Sequence, residues 1–287
     1  MTYTFIARAC SDLPVATCCR VMGVSTSGFY AWRAQPCPAR DHDDAVLTNT
    51  ILDIWTASRR SYGSPRVHAE LRLGLNVRCS RKRVERLMRQ AGIEGIYRRR
   101  GRGCTRRDGT EPSDDLVKRS FDPDGPNRLW VMDVTEHPTG TGKVYCAVVL
   151  DAWSRRVVGW SIADHIRSEL VVDALQMAIW RRQPPDGQTI AHSDHGAQYT
   201  SWAFGRRLRA GGLLGSMGTI GDCFDNSVAE SFFGTLQLEL LDQHRWSSRE
   251  DLATAIFDWI ESWYNPRRRH SYNQMLSPID YETANAA

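Results

Sequence analysis

No run of apolar residues in this chain approaches the ~20 that a bilayer-spanning helix needs, so no membrane segment is expected. The first ten residues, Met1 to Cys10, lack a basic start followed by an apolar stretch. No secretory leader is therefore expected, and a cytoplasmic location is the default. No C-x-x-C occurs among the eight cysteines; Cys18 and Cys19 are adjacent and the others are scattered. That spacing argues against zinc and against a disulfide framework, and predicts reduced thiols. Internal repeats and heptad runs are also missing, so neither a solenoid nor a zipper is expected. Lysine is nearly absent: of 37 basic residues only Lys82, Lys118 and Lys143 are Lys. Arginine suits bidentate phosphate contact, although a GC-rich genome produces the same bias.

What is present is a charge asymmetry. Met1 to Ser120 carries 22 Lys+Arg against 12 Asp+Glu, and the remainder 15 against 21. The front is a candidate polyanion-binding half, and the back has carboxylates to spare. The length of 287 residues accommodates one catalytic domain and one or two small helical modules.

Residues 13 to 33 read as a short helix, a turn at Gly23-Val24, and a second helix capped within Ser25 to Ser27. The pattern fits a helix-turn-helix and a plain helical hairpin equally. Residues 36 to 48 are Pro-rich and charged and read as a linker, with a helix over 49 to 58. Ser64-Pro65 opens another helix, with Ser64 as the cap. Ser80 caps the next, where Val84, Leu87, Met88 and Ala91 share one face and Gly92 ends it. Its polar face presents Arg81, Lys82, Arg86 and Arg89. Residues 78 to 107 hold 12 basic residues against Glu85 and Glu94 alone, and the run continues through Arg98, Arg99, Arg100 and Arg102. Such density is that of a surface that tracks nucleic-acid phosphates.

Beyond a Pro/Gly/Asp-rich stretch the texture changes to α/β. Strands are expected at 129 to 135, 143 to 151, 157 to 162, 189 to 193 and 213 to 217. Helices are expected at 168 to 182, 201 to 210, 226 to 241 and 249 to 264. The expected division is a helix-turn-helix-like segment (1–40), a basic helical DNA-binding module with an Arg-rich arm (45–107), a linker (108–127), a catalytic core (128–245), and a C-terminal helix and tail (246–287).

Three acids stand out. Asp133 lies inside a strand, where Asp is disfavoured. Asp194 lies just past a strand and Glu230 in the first turns of a helix. Carboxylates converging at strand ends can hold hard divalent cations, and a pair of Mg²⁺ ions so held supports phosphodiester chemistry. Taken singly, each acid fits equally a cap, a surface charge or an ion pair. His192 and His195 flank Asp194 as candidate supporting groups. Asp151 reads as a turn or cap residue before it reads as a fourth acid, and Asp225 and Asn226 as caps for the helix of Glu230. Arg267 to His270 read equally as phosphate contacts and as a solvated tail.

The blocks LWVMDVTEH, GKVYCAVVLDAWSRRVVGW, HSDHGAQYTS, DNSVAESFFGTLQLEL and SWYNPRRRHSYNQMLSPIDYE resemble the integrase core of bacterial insertion-sequence transposases, in the same order. The 35 residues between Asp194 and Glu230 match the D,D(35)E spacing of the family whose transposase is read from two overlapping frames, this chain resembling the second-frame product. SGFYAW and SYGSPRVHAELR resemble the helical DNA-binding segments that precede that core. The resemblance implies a ribonuclease-H-like mixed five-stranded sheet with flanking helices. It implies Asp133, Asp194 and Glu230 as catalytic ligands of two Mg²⁺ ions, with Mn²⁺ as a substitute. It further implies cleavage at the 3′ end of an element and attack of the freed 3′-OH on target DNA, through a circular intermediate. Double-stranded DNA ends and target, a homo-oligomer on DNA, nucleoid association and an upstream-frame partner are the implied associations.

The chain departs from that pattern in three places: Met132 before the first Asp, Gln237 where a basic residue is common, and the missing zipper segment. Gln237 supplies hydrogen bonds but no charge. Two rival readings are a DNA-binding regulator without catalysis and a simple ribonuclease-H-like nuclease. Replacing Arg98, Arg99 and Arg100 with Ala is expected to flatten the salt dependence of DNA binding, by about 0.9 in log–log slope for each phosphate no longer neutralised. An unchanged slope in a salt titration would exclude phosphate binding by these residues.

Overall fold

The computed structural model describes residues 2–34, 38–97, 123–194, 196–217 and 227–286. The chain divides into two compact units, Met1–Glu94 and Gly95–Ala287. Among the described residues, no helix is long and apolar enough to cross a membrane, and the five described cysteines are free thiols.

In the first unit, α1 (Thr2–Ala9), α2 (Val15–Val21) and α3 (Thr26–Ala34) close around Ile6, Cys18, Cys19 and Phe29. The α2–α3 turn has Gly23 at φ +67°, which favours Gly. Ser25 caps α3 by accepting from the Gly28 N–H at 3.0 Å. Next come α4 (Ala39–Ala57), α5 (Ser64–Ala69) and α6 (Arg81–Gln90). The expected linker at 36 to 48 is corrected here: from residue 39 it is helix. The residues that read as linker chemistry are start signals. Pro38 precedes the first turn and Asp41 lies within it, where a carboxylate suits the helix dipole. Asp44 then accepts from Arg83 and Arg86 of α6, both at 2.7 Å. Helix α5 is capped at Gly63 rather than Ser64, with Pro65 in its first turn. Ser80 caps α6 as expected, accepting from the Arg83 N–H at 3.2 Å.

The second unit is built on a mixed sheet of order β3-β2-β1-β4-β5. Its strands are β1 (Leu129–Thr139), β2 (Gly142–Asp151), β3 (Val157–Ala163), β4 (Ile190–Ser193) and β5 (Leu214–Met217). The first three form an antiparallel meander, and β4 and β5 add in parallel. This is the α/β, ribonuclease-H-like arrangement expected. Helices α7 (Ser168–Arg182) and α8 (Trp202–Ala210) pack into one core with Trp130, Met132, Ala147 and Val149. Gly159 lets α7 lie directly on β3, since a Cβ there would collide with the Ala174 carbonyl. Helix α9 (Ser227–Glu239) packs against β1, and α10 (Arg249–Asp258) against β2.

The single helix expected at 249 to 264 becomes π-helical from Trp259 to Tyr264. The wider turn buries Trp259, Ile260, Trp263 and Tyr264 together. Phe232 of α9 meets Trp259 and Tyr264 edge-on, with centroids 5.7 and 5.0 Å apart.

The C-terminal segment is bonded into the sheet. Asn265 pairs with both backbone groups of Val157 at 2.9 Å. Helix α11 (Pro278–Ala284) carries Glu282, which accepts from Arg182 twice at 2.9 Å, Arg156 at 2.6 Å and Ser154 at 2.8 Å. The phosphate-contact reading of the 267 to 270 run fails for two of its arginines, which face inward. Arg268 forms an ion pair with Glu239 of α9 at 2.7 Å, the side chains 4% and 5% exposed. Arg269 is buried and donates to the Met275 carbonyl at 3.3 Å.

Arg268→Ala leaves Glu239 buried without its partner and is expected to cost about 3–5 kcal/mol of stability. Arg267→Ala, at an exposed position, is expected to stay within about 0.5 kcal/mol. Chemical denaturation of the two variants checks both.

Candidate active site

Strand β1 sends Trp130 and Met132 into the core beneath α7 and α8. Side chains alternate along a strand, so Val131 and Asp133 point to the other face. Val131 stands opposite His192 of the parallel strand β4. Continued past Ser193, the last residue of β4, that register brings Asp194 beside Asp133. Glu230 lies in the first turn of α9, the helix packed against β1.

Two of the three carboxylates are anchored through one oxygen. Asp133 Oδ1 accepts from the Val134 N–H at 2.8 Å. Asp194 Oδ1 accepts from the Gly196 N–H at 3.0 Å. Asp133 is half-buried while Asp194 and Glu230 are exposed.

The Asp133 carboxyl is pushed from 3.8 up to about 6, first by burial and then by the negative charges of Asp194 and Glu230, against the lowering effect of the Val134 N–H. Asp194 and Glu230 therefore both lie within electrostatic reach of Asp133. Among the described residues none of them forms an ion pair with a basic side chain. An all-oxygen donor set with uncompensated negative charge fits a hard divalent cation. Among the described residues, no three acid, His or Cys side chains are gathered tightly enough to form a metal shell on their own.

An integrase core domain model matches residues 123–223 and a second such model residues 230–285. An HTH-like domain model matches residues 41–101. The transposase InsF for insertion sequence IS3A of Escherichia coli is 36% identical over 293 aligned residues, covering all of both chains. The chain belongs to the IS3 insertion-sequence transposase family. A relative of this transposase from insertion sequence element IS986/IS6110 of Mycobacterium tuberculosis is 36% identical, covering 92% of this chain and 96% of that one. Among solved structures, the HTLV-2 integrase catalytic core domain in complex with magnesium is 19% identical, with a TM-score of 0.41, over 55% of this chain and 98% of that one.

Around the triad of this transposase, Asp151 has a turn-closing role and is not a fourth exposed acid. It is fully buried and accepts from the N–H groups of Asn127, Trp153 and Ser154 at 2.7, 3.0 and 3.2 Å. Burial pushes its carboxyl up, with those donors and Arg182 opposing. His192 is buried in β4 and bonded to Ser216 of β5 at 3.1 Å. His195, Asp225 and Asn226 lie outside the described residues. Gln237 donates to Asp242 in the turn after α9.

The candidate DNA-contact residues divide. Arg81 and Lys82 stand exposed on α6. Arg89 pairs with Glu85 along the exposed face at 3.2 Å. Arg86 is bonded to Asp44 and, at 3.0 Å, to Gln90. Arg98, Arg99, Arg100 and Arg102 lie outside the described residues. Spacing along the chain did not reveal Asp44, Glu239 or Glu282, because each depends on a partner distant in sequence. Nor did it reveal Tyr199, a buried aromatic in the polar Asp194 loop.

In metal-free buffer the raised Asp133 carboxyl makes stability depend on pH. Its favourable contribution is whole below pH 3.8 and is lost as pH rises through about 6. Above that, the charged form costs up to about 3 kcal/mol. Asp133→Asn is therefore expected to melt above wild type at pH 8 in chelator, with the advantage gone below pH 4. Equal melting at pH 8 would mean that the charged Asp133 carboxylate is not destabilised by its burial and its acidic neighbours.

Proposed function

We propose that this chain cleaves and joins DNA strands of an insertion sequence as a metal-dependent polynucleotidyl transferase of the DDE class. Asp133, Asp194 and Glu230 are its catalytic carboxylates and metal ligands. The observation that carries this reading is the half-buried Asp133 carboxyl, pushed up to about 6 by burial and then by the charges of Asp194 and Glu230, with no ion pair to a basic side chain among the described residues. Family membership supplies the reaction class.

The anchored Oδ1 of each aspartate fixes the rotation of its carboxyl group and leaves Oδ2 uncommitted. Glu230 adds a third carboxylate from a separate element. The donors are thus carried on a strand, a strand end and a helix, each held by its own packing. When bound, two Mg²⁺ ions (Mn²⁺ substituting) would stabilise charge on the attacking and leaving oxygens of a phosphodiester. The exposed residues Arg81 and Lys82 of α6, with Arg89 and part of Arg86, position phosphates and carry no sequence information by that contact. Arg98, Arg99, Arg100 and Arg102 are assigned the same phosphate-binding role from the sequence.

The substrates are double-stranded element ends and target DNA, engaged by a homo-oligomer at the nucleoid, with the upstream-frame product as a further partner. The domain division follows the bounds given above: modules at 1–40 and 45–107, a linker at 108–127, the core at 128–245 and a C-terminal helix and tail at 246–287.

The test is cleavage and joining of an element-end oligonucleotide in Mg²⁺. Asp194→Asn and Glu230→Gln are each expected to lower both rates on the order of a hundredfold or more, because loss of one metal ligand forfeits several kcal/mol of charge stabilisation. Undiminished activity in both variants would falsify the assignment. Inactive wild type rescued by the upstream-frame segment would instead identify an incomplete transposase that depends on that segment.

A further inference from the structure

Helix α6 buries Val84, Leu87 and Met88 along one stripe. Arg81, Lys82, Glu85 and Arg89 are exposed and fall at i, i+1, i+4 and i+8, on a second stripe. Arg83 and Arg86 lie on the flank between the two, held by Asp44 at 2.7 Å. The outer stripe therefore presents three cations and one carboxylate. That carboxylate, Glu85, has a side chain 51% exposed and pairs with Arg89 at 3.2 Å. A negative charge on a face that meets phosphates repels them. Phosphate oxygens accept hydrogen bonds and do not donate, as does an ionised carboxylate, so the backbone of a duplex gives Glu85 nothing to bind. Base edges do. In the major groove cytosine presents its N4 amino group as a donor, to which a carboxylate is complementary.

We propose that α6 lies in the major groove of the element end, and that Glu85 there specifies one C·G base pair by accepting from the cytosine amino group. This rests on the DNA-binding reading of α6 and adds to it. Arg81, Lys82 and Arg89 supply affinity through phosphates, and Glu85 supplies choice of sequence. The placement suits the task. Helix α5, continued by a π-helical turn to Gly74, packs against α6. In a helix pair of this kind the early turns of the second helix reach base edges while the first crosses the backbone. Arg81, Lys82 and Glu85 occupy those early turns, directly after the Ser80 cap. The ten residues of α6 rise about 15 Å, and the major groove admits an α-helix. Arg89 steadies the carboxylate from one turn further on. An acid on this stripe lowers affinity for every sequence, and the loss is recovered only where an amino donor faces it.

The experiment measures binding of the full chain, by fluorescence anisotropy at one salt concentration, to element-end duplexes changed one base pair at a time and to a scrambled duplex. Glu85→Ala is expected to lose about tenfold of discrimination at a single C·G pair and to keep it at the other positions. It is expected to bind the scrambled duplex no more weakly than wild type, because an acid has left the phosphate-facing stripe. Discrimination unchanged at every position overturns the proposal. So does an equal loss at all of them, which a merely structural role would give, and so does a wild type that binds every duplex alike. A wild type that binds none of the duplexes overturns the DNA-binding reading of α6 with it. The two failures are therefore distinct.

Discussion

Like charges repel, and this fold holds Asp194 and Glu230 within reach of Asp133 with no described cation between them. Burial, and after it the charges of Asp194 and Glu230, push the Asp133 carboxyl up to about 6. The rest of the second unit serves to hold that arrangement. β1 is hydrogen-bonded on both sides, to β2 and to β4, so Asp133 cannot retreat. The Asp194 loop turns back on its own carboxylate through Gly196. Helix α9 is fastened at its far end, where Glu239 meets Arg268. A buried pair of this kind adds little net stability over an apolar pair, but is costly to break. Its value here is orientation: it fixes the rotation of the helix that carries Glu230.

The same reasoning explains the C-terminal segment. Arg182 ends α7, Arg156 follows the β2–β3 turn, and Glu282 of α11 accepts from both. Burial alone would raise the Glu282 carboxyl, yet the two guanidinium groups hold it below its ordinary range. Asp151 closes the turn beneath them. One carboxylate thus joins a helix end, a strand turn and the C-terminal helix. The meander that positions Asp133 is clamped from the end opposite the site.

Much of this was legible in the sequence, for local reasons. The α7 stripe recurs at helical spacing, and its helix runs from Ser168 to Arg182 as read. β1 and β2 read as short apolar runs bounded by turn residues, and an Asp inside β1 was conspicuous because strands disfavour it. The 35-residue spacing singled out Asp194 and Glu230 together, through the resemblance. What was not legible depends on contacts distant in sequence. Residues 39 to 48 resembled a linker because Asp44 shows its purpose only beside Arg83 and Arg86. Arg268 and Arg269 resembled a solvated run because their partners lie on other elements. The π-helical stretch escaped notice because burial of four aromatic and aliphatic residues outweighs regular α-helical bonding there. Tyr199 escaped for the opposite reason: an aromatic in a polar loop carries no periodicity.

Asn265 has a consequence of a different kind. A sheet of order β3-β2-β1-β4-β5 leaves β3 on its rim, where unsatisfied backbone groups are a template for another chain. The Asn265 side chain occupies the N–H and the carbonyl of Val157 as an added strand would. One amide thus ends strand pairing where the outermost strand begins. The start of the outer strand is thereby closed to edge-to-edge pairing with another chain.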